Sequence, residues 1–382
     1  MNIETREGLF AVMEQIAAER EAARPIVEKL VASGEPIDDI EIPEGWRTAG
    51  MVMELILAAG QFDTSDPSGS LVTLQLANAI AKSIRRGSYP PLIVEYVEGE
   101  SWRQIAWGHL YQSAYAAALR ASESAFKVFR KEPALSHDLA TTERGRVLPL
   151  LYSGRDNEAL ASARSSMTLS RDFGDLHSTQ KCELLIAIVY FRQGALQLAL
   201  EKCKELLTRM DEGDDRRTLA VLYHNLGVMY SELGRSDEAV SCLDLARKMC
   251  ADLNLPTDRT DWVFARIQLA DGHFATALPL LTRLREVFLR QGMPEEAGLI
   301  GLDIVDGLIA TGASEEAIEL TERIISEFRE ADLAISAIRA VDYLRDLLPV
   351  ARNARKAIKH VRSFVEKHRL APAQHFVPFD DD

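Results

Sequence analysis

The stretch LYHNLGVMYSELGRSDEAVSCLDLARKM, Leu222–Met249, decides the fold. Apolar residues recur three and four apart on both sides of Gly234, the pattern of two amphipathic helices rather than of strands. The break between them reads GRSDE. Its glycine takes a left-handed backbone without strain, its Ser and Asp cap the next helix, and its acids sit at that helix's positive end. Ala239 opens the second helix, and a small side chain there lets two antiparallel helices approach closely.

Working outward, the same glycine, four residues and alanine recur as Gly154/Ala159, Gly194/Ala199, Gly234/Ala239, Gly272/Ala277 and Gly312/Ala317, at intervals of 40, 40, 38 and 40. A degenerate copy, Ser113/Ala118, lies 41 residues before Gly154, and another, Arg352/Ala357, lies 40 after Gly312 with the glycine lost. One such hairpin cannot bury its own apolar face, whereas stacked neighbours can. Strand patterning is nearly absent; the one stretch that resembles it is PLIVEYVEG, Pro91–Gly99. The expectation is an all-α repeat array.

These residues resemble a tetratricopeptide (TPR) repeat. Tyr223, Leu226, Gly227, Tyr230, Gly234, Ala239, Leu243 and Ala246 stand where that family's large, Leu, Gly, aromatic, turn, Ala, large and Ala residues belong. The copy around Tyr190, Gly194 and Ala199 keeps the core spacing with Ala187 as its small residue, and WGHLY, Trp107–Tyr111, fits the first-helix signature. Later copies are looser: Leu308 replaces the aromatic before Gly312. The resemblance runs from about Ser101 to Arg369. It implies a right-handed superhelical solenoid of TPR-like antiparallel helix pairs, with first helices lining a concave groove. The family period is about 34 residues. The longer period here is expected to lengthen the second helix and the loop after it, as in ALEKCKELLTRMDEGDDRRT, Ala199–Thr218.

The array has unlike ends. Thr5–Val31 reads as one long helix containing Pro25. A helix follows to about Gln61 with Pro43 near its first turn, and another begins near Pro67. Residues 1–100 are expected to be a helical capping segment, with a break at RRGSYPPLIV, Arg85–Val94; residues 101–370 form the array and 371–382 a flexible tail. Residues 1–60 hold 12 acids against 5 bases, whereas Ala351–Leu370 holds seven Lys or Arg against one Glu. Three readings of that basic helix stand. It is a solvated last helix with bases at its negative end, a patch for anionic lipid or nucleic acid, or a contact with the acidic segment of a second copy.

Composition removes several functions. A chain of 382 residues with 47% hydrophobic and 27% charged residues is globular. Its net charge of −14 argues against a nucleic-acid binder. Cys182, Cys203, Cys242 and Cys250 are too sparse for a disulfide scaffold and form no C-x-x-C pair, so they read as buried small apolar residues. No secretory signal or membrane span is recognisable, and a reducing cytoplasm is the expected setting. The eight histidines are scattered, and no G-x-S-x-G, Walker loop or G-x-G-x-x-G occurs. No enzyme, no cofactor and no metal are expected, and the acidic first 60 residues offer no basic recognition helix for DNA.

Carrying the same offset from each turn glycine selects the groove positions that the resemblance implies. They are Lys181, Leu184 and Ile188; His224, Asn225 and Val228; Arg259, Trp262 and Arg266; Asp303 and Asp306; and Asp342 and Asp346. Read as exposed, they make a groove basic and aromatic in its middle and acidic at its far end, matched to a peptide carrying both charges. Trp262 and Arg266, one turn apart, form an anchor pair, since Trp and Arg dominate hot spots; the other reading of Trp262 is a space-filler between repeats. The Lys and Asn pattern by which the family's carboxylate clamps grip chaperone tails is mostly replaced here, with only Asn225 kept. The expected function is a non-catalytic protein- or peptide-binding scaffold. The alternative is a cytosolic regulatory sensor that binds a peptide or partner and signals through its N-terminal segment. Self-association stays open.

Overall fold

The computed structural model describes residues 6–33, 41–61, 66–85, 87–210, 215–331, 333–350, 352–368 and 376–379. Among them are seventeen α-helices, two short 3-10 turns and no strand. The chain divides into two compact units, one of Met1–Leu151 with Arg155–Ile186, the other of Tyr152–Gly154 with Ala187–Asp382.

The first unit holds α1 (Arg6–Ser33), α2 (Ala49–Ala59), α3 (Pro67–Ser83), α4 (Pro91–Tyr111), α5 (Tyr115–Phe129), α6 (Ser136–Tyr152), α7 (Asp156–Asp172) and the start of α8 (Leu176–Arg192). Helix α1 continues through Pro25. The second helix begins at Ala49 rather than near Pro43, because Pro43 leads into a 3-10 turn and Thr48 supplies the cap, accepting from the Met51 amide at 3.1 Å. Its next two free amides are met from elsewhere: Ala49 N donates to Tyr89 Oη at 3.0 Å and Gly50 N to Glu19 Oε2 at 3.1 Å. Tyr89 Oη in turn donates to Glu19 Oε1 at 2.6 Å. Around this knot Val27, Val52, Leu55, Leu76 and Ile80 form an apolar core.

PLIVEYVEG, the one strand-like stretch, is the opening of α4. Proline at its first position suits a helix start, and Ile93, Val94 and Tyr96 pack on the core cluster, which outweighs the small helix penalty of β-branched residues. Residue 100 lies inside α4. Of the expected tail, residues 371–375 and 380–382 lie outside the described residues. Residues 376–379 rest on the chain: Tyr343 Oη donates to the Phe379 carbonyl at 2.9 Å, and the Phe376 ring sits 5.0 Å from that of Phe364.

The second unit continues with α9 (Leu196–Leu207), α10 (Arg216–Glu232), α11 (Ser236–Asp252), α12 (Asp258–Ala270), α13 (Phe274–Arg290), α14 (Pro294–Thr311), α15 (Ser314–Glu330), α16 (Ile335–Leu347) and α17 (Ala354–His368). The glycine and alanine of the repeat are realised throughout, whereas the expected capping is not: α7, α9, α11, α13 and α15 each start without a side-chain cap. Gly154, Gly194, Gly234, Gly272 and Gly312 adopt φ of 69°, 80°, 69°, 82° and 84°, and Ser113 in the degenerate copy takes the same region at 58°. All seven paired alanines, Ala118, Ala159, Ala199, Ala239, Ala277, Ala317 and Ala357, are 0% exposed.

The long period has a different origin from the expected one. Helices α7, α8, α10, α11, α13 and α15 are each 17 residues long. The added length is therefore shared by both helices of a pair, with short turns between. Only α9, with 12 residues, precedes a long connection, and α12, with 13, accounts for the one shorter interval.

First helices neighbour first helices: α10 packs on α12 and α12 on α14. The last pair breaks this rule. Helix α16 packs on α15, and α17 returns to pack on α14, taking the place of a further first helix. Its stripe of Ile358, Val361, Phe364 and Val365 joins the same core as Ile300, Val305, Ile324 and Phe328. The expectation of a solvated last helix is thus corrected, because that apolar stripe has to be covered.

All four cysteines are free, with Cys182 and Cys203 buried. Burial pushes the Cys203 thiol up to about 12. Among the described residues no helix is long and apolar enough to cross a membrane, and no cluster of three or more His, Cys, Asp or Glu is placed to hold a metal ion.

Candidate binding cavity

The return of α17 leaves a cavity of about 780 Å³ inside the second unit. One wall is built by repetition. Phe191 and Arg192 end α8; Ser231 and Glu232 stand one repeat later on α10, and Leu269 and Ala270 one repeat later again on α12. A turn earlier, Val228 on α10, Arg266 on α12 and, one repeat further, Asp306 on α14 mark a second row. Equal spacing along the chain becomes a continuous surface because each first helix enters the stack in the same register. The facing wall is α17, through Arg355, Ile358, Lys359, Arg362, Ser363, Glu366 and Lys367.

Where the walls meet, α14 carries two acids. Arg355 donates to Asp306 through both Nε and Nη2, at 2.8 and 2.7 Å. Arg362 Nε donates to Asp303 Oδ1 at 2.5 Å, and its Nη1 to Glu366 Oε2 at 3.0 Å. Asp303 Oδ2 also accepts from Trp262 Nε1 at 2.8 Å. Asp303 and Asp306 are 5% and 6% exposed, so their expected exposure is corrected: α17 covers and neutralises them. The far end of the groove therefore presents paired charge rather than an open acidic face.

The other sequence-selected residues are dispersed. Arg266 lines the cavity and comes only within 4.0 Å of Asp303, whose oxygens Trp262 and Arg362 already engage. Trp262 stands behind the wall, its ring edge-on to Phe288 at 5.9 Å, which is the space-filling role. Arg259 lies 3.9 Å from Glu296 and over the Phe288 ring. Asn225 donates to the Val221 carbonyl of its own helix at 2.8 Å. Asp342 and Asp346 both pair with Arg345 on α16, at 2.8 and 2.7 Å. Lys181 belongs to the first unit, as does Leu184, which is buried.

His224 links α10 to α12, its Nδ1 lying 3.0 Å from Thr260 Oγ1. Burial, and secondarily the Arg259 guanidinium, lower its pKa from 6.5 to about 4. The unfolded chain then binds the extra proton more readily, so the stability is fully present above about pH 6.5 and is lost as pH falls toward 4. This contribution is expected to be about 2 kcal/mol, reduced from the full shift because the ring is only half-buried. Urea midpoints taken across that range should fall less for His224→Gln than for the parent. Equal slopes would refute the assignment.

Sequence reading missed Phe191, Arg192, Ser231, Glu232, Leu269, Ala270 and the whole α17 wall. The first six were within reach, lying one helical turn beyond positions already selected. For α17 the signal was its apolar stripe.

Residues 180–252 match the family model described as tetratricopeptide repeat. No curated protein matches the chain. Among solved structures, the Rap conjugation gene regulator of the plasmid pLS20, in complex with the Phr* peptide, is similar at 13% identity. The similarity covers 77% of this chain and 79% of that one, with a TM-score of 0.59. A Rap protein complexed with competence and sporulation factor is similar at 12% identity over 94% of this chain and 100% of that one, again with a TM-score of 0.59. The chain thus has the fold of TPR-like helical solenoids.

Proposed function

We propose that this chain is a non-catalytic, cytoplasmic scaffold that binds a protein or peptide segment in the cavity of its second unit. The observation that carries the reading is a cavity whose wall repeats the same helix position over successive pairs and mixes apolar seats with free charges. Its volume of about 780 Å³ lies within the ~300–1,000 Å³ of ligand pockets. Rigid helices position these groups in advance, which lowers the ordering cost of binding an extended segment. Ala270 is exposed on that wall, so Ala270→Trp should project a bulky ring into the cavity and obstruct it while leaving the fold intact. Peptides selected on the parent chain from a random display library should fail to bind this variant. Undiminished binding would place the site elsewhere.

A regulatory role is the second reading. It is favoured by the likeness, over 94% of this chain, to a Rap protein complexed with competence and sporulation factor. A sensor should change its hydrodynamic radius when a selected peptide is added, and an unchanged radius would leave the plain scaffold.

A further inference from the structure

The cavity's charge is unequal once its internal pairs are removed. Six basic and four acidic side chains line it. Asp303, Asp306 and Glu366 are engaged by Arg362 and Arg355. The remaining cations are Arg192, Arg266, Lys359 and Lys367; among the described residues only Arg266 of these comes near a carboxylate, at the 4.0 Å already noted. Against them stands one lining carboxylate without a cationic partner among the described residues, Glu232. These four cations lie on both walls, Arg192 and Arg266 on the first helices and Lys359 and Lys367 on α17. A ligand between the walls is therefore met by positive charge from both sides. Arg355 and Arg362 already occupy the acids that would have received basic side chains of a ligand, so a cationic segment finds no seat there.

We infer that the cavity receives an acidic peptide segment, its Asp or Glu carboxylates taken by Arg266 and Arg192 on one wall and by Lys359 and Lys367 on the other. This rests on the peptide-binding reading and narrows it to a ligand class. Phe191 and Val228, both partly exposed on the first-helix wall, supply apolar contact, which favours a peptide with mixed side chains over a bare polyanion. Electrostatic complementarity of this kind sets partner choice and weakens with salt.

The test pans a random peptide library on the full chain and measures the selected peptides by fluorescence polarisation. Selected sequences should be enriched in Asp and Glu. Changing those residues to Asn and Gln should weaken binding by about tenfold or more, and so should the paired variant Arg266→Glu/Lys359→Glu. Arg192→Glu/Lys367→Glu repeats the measurement at the other two cations, and unchanged thermal melts would show that both variants fold. Enrichment of neutral or basic peptides overturns the inference and leaves peptide binding standing. Acidic peptides bound equally well by both variants overturn it too. If no sequence is enriched at all, the peptide-binding reading itself fails.

Discussion

Asp303→Ala is expected to destabilise the second unit by about 3–5 kcal/mol, the cost of breaking a buried ion pair from one side. Asp303 is the shared acceptor of three groups: Trp262 Nε1 at 2.8 Å, Arg362 Nε at 2.5 Å, and Arg266 at the outer limit of 4.0 Å. The Arg362 side chain is only 11% exposed. Burial works against its charge, and Asp303 and Glu366 outweigh that burial, so its pKa ends raised. Removing Asp303 deletes the compensation and keeps the desolvation. The indole N–H also loses its acceptor. Arg362→Met should cost less than Asp303→Ala, because it removes the buried cation and retains a chain able to pack on α14. Urea unfolding of both variants, followed by circular dichroism, measures this. A loss below about 1 kcal/mol for Asp303→Ala would mean that the pair is solvated and that α17 does not seal α14.

Phe328→Ala should cost a similar amount, about 3–5 kcal/mol. Its ring is fully buried in the core that joins α14, α15 and α17. It lies so close to Gly298 that a Cβ there would come within 2.1 Å of Phe328 Cε1. Glycine in the middle of α14 is thus present for the ring, in spite of the roughly 1 kcal/mol of helix propensity it forgoes relative to alanine. The reciprocal change makes the prediction specific. Gly298→Val alone should destabilise by crowding the ring, by about 1–3 kcal/mol. In the Phe328→Ala background it should instead stabilise by refilling part of the vacated space. Simple additivity of the two changes would show that the residues do not share a volume.

How much of this was legible can be judged from three places. The spacing of glycine and alanine could be read directly because both have one physical duty. The glycines turn left-handed and the alanines vanish into helix crossings, and neither depends on the identity of distant neighbours. PLIVEYVEG misled because local propensity was weighed without the core that Ile93 and Val94 join. Asp303 and Asp306 misled for a related reason. The offset that marks an open face on α10 was carried to α14, where twelve residues are buried on all sides. A cue was present in the letters: GLIGLDIVDGLIA is apolar all round apart from two aspartates one turn apart, and acids in such a helix require partners. Arg355 and Arg362, seven residues apart on one face of the basic helix, are those partners. What the letters could not supply is that the final pair folds back, since that depends on which of two apolar stripes wins the exposed side of α14.

The recurrence of one joint, a left-handed glycine followed by a buried alanine, bears on how such a protein can be altered. A block running from Gly194 to Leu233 begins and ends at equivalent joints, because Gly194 and Gly234 hold the same backbone state and Ala199 and Ala239 the same packing seat. Duplicating that block would lengthen the receptor surface by a whole module at the α10 side, with the α14–α17 seal left as it is. Reach along a ligand is then adjustable in discrete steps, by splicing at the joints rather than by redesigning the seams between helices.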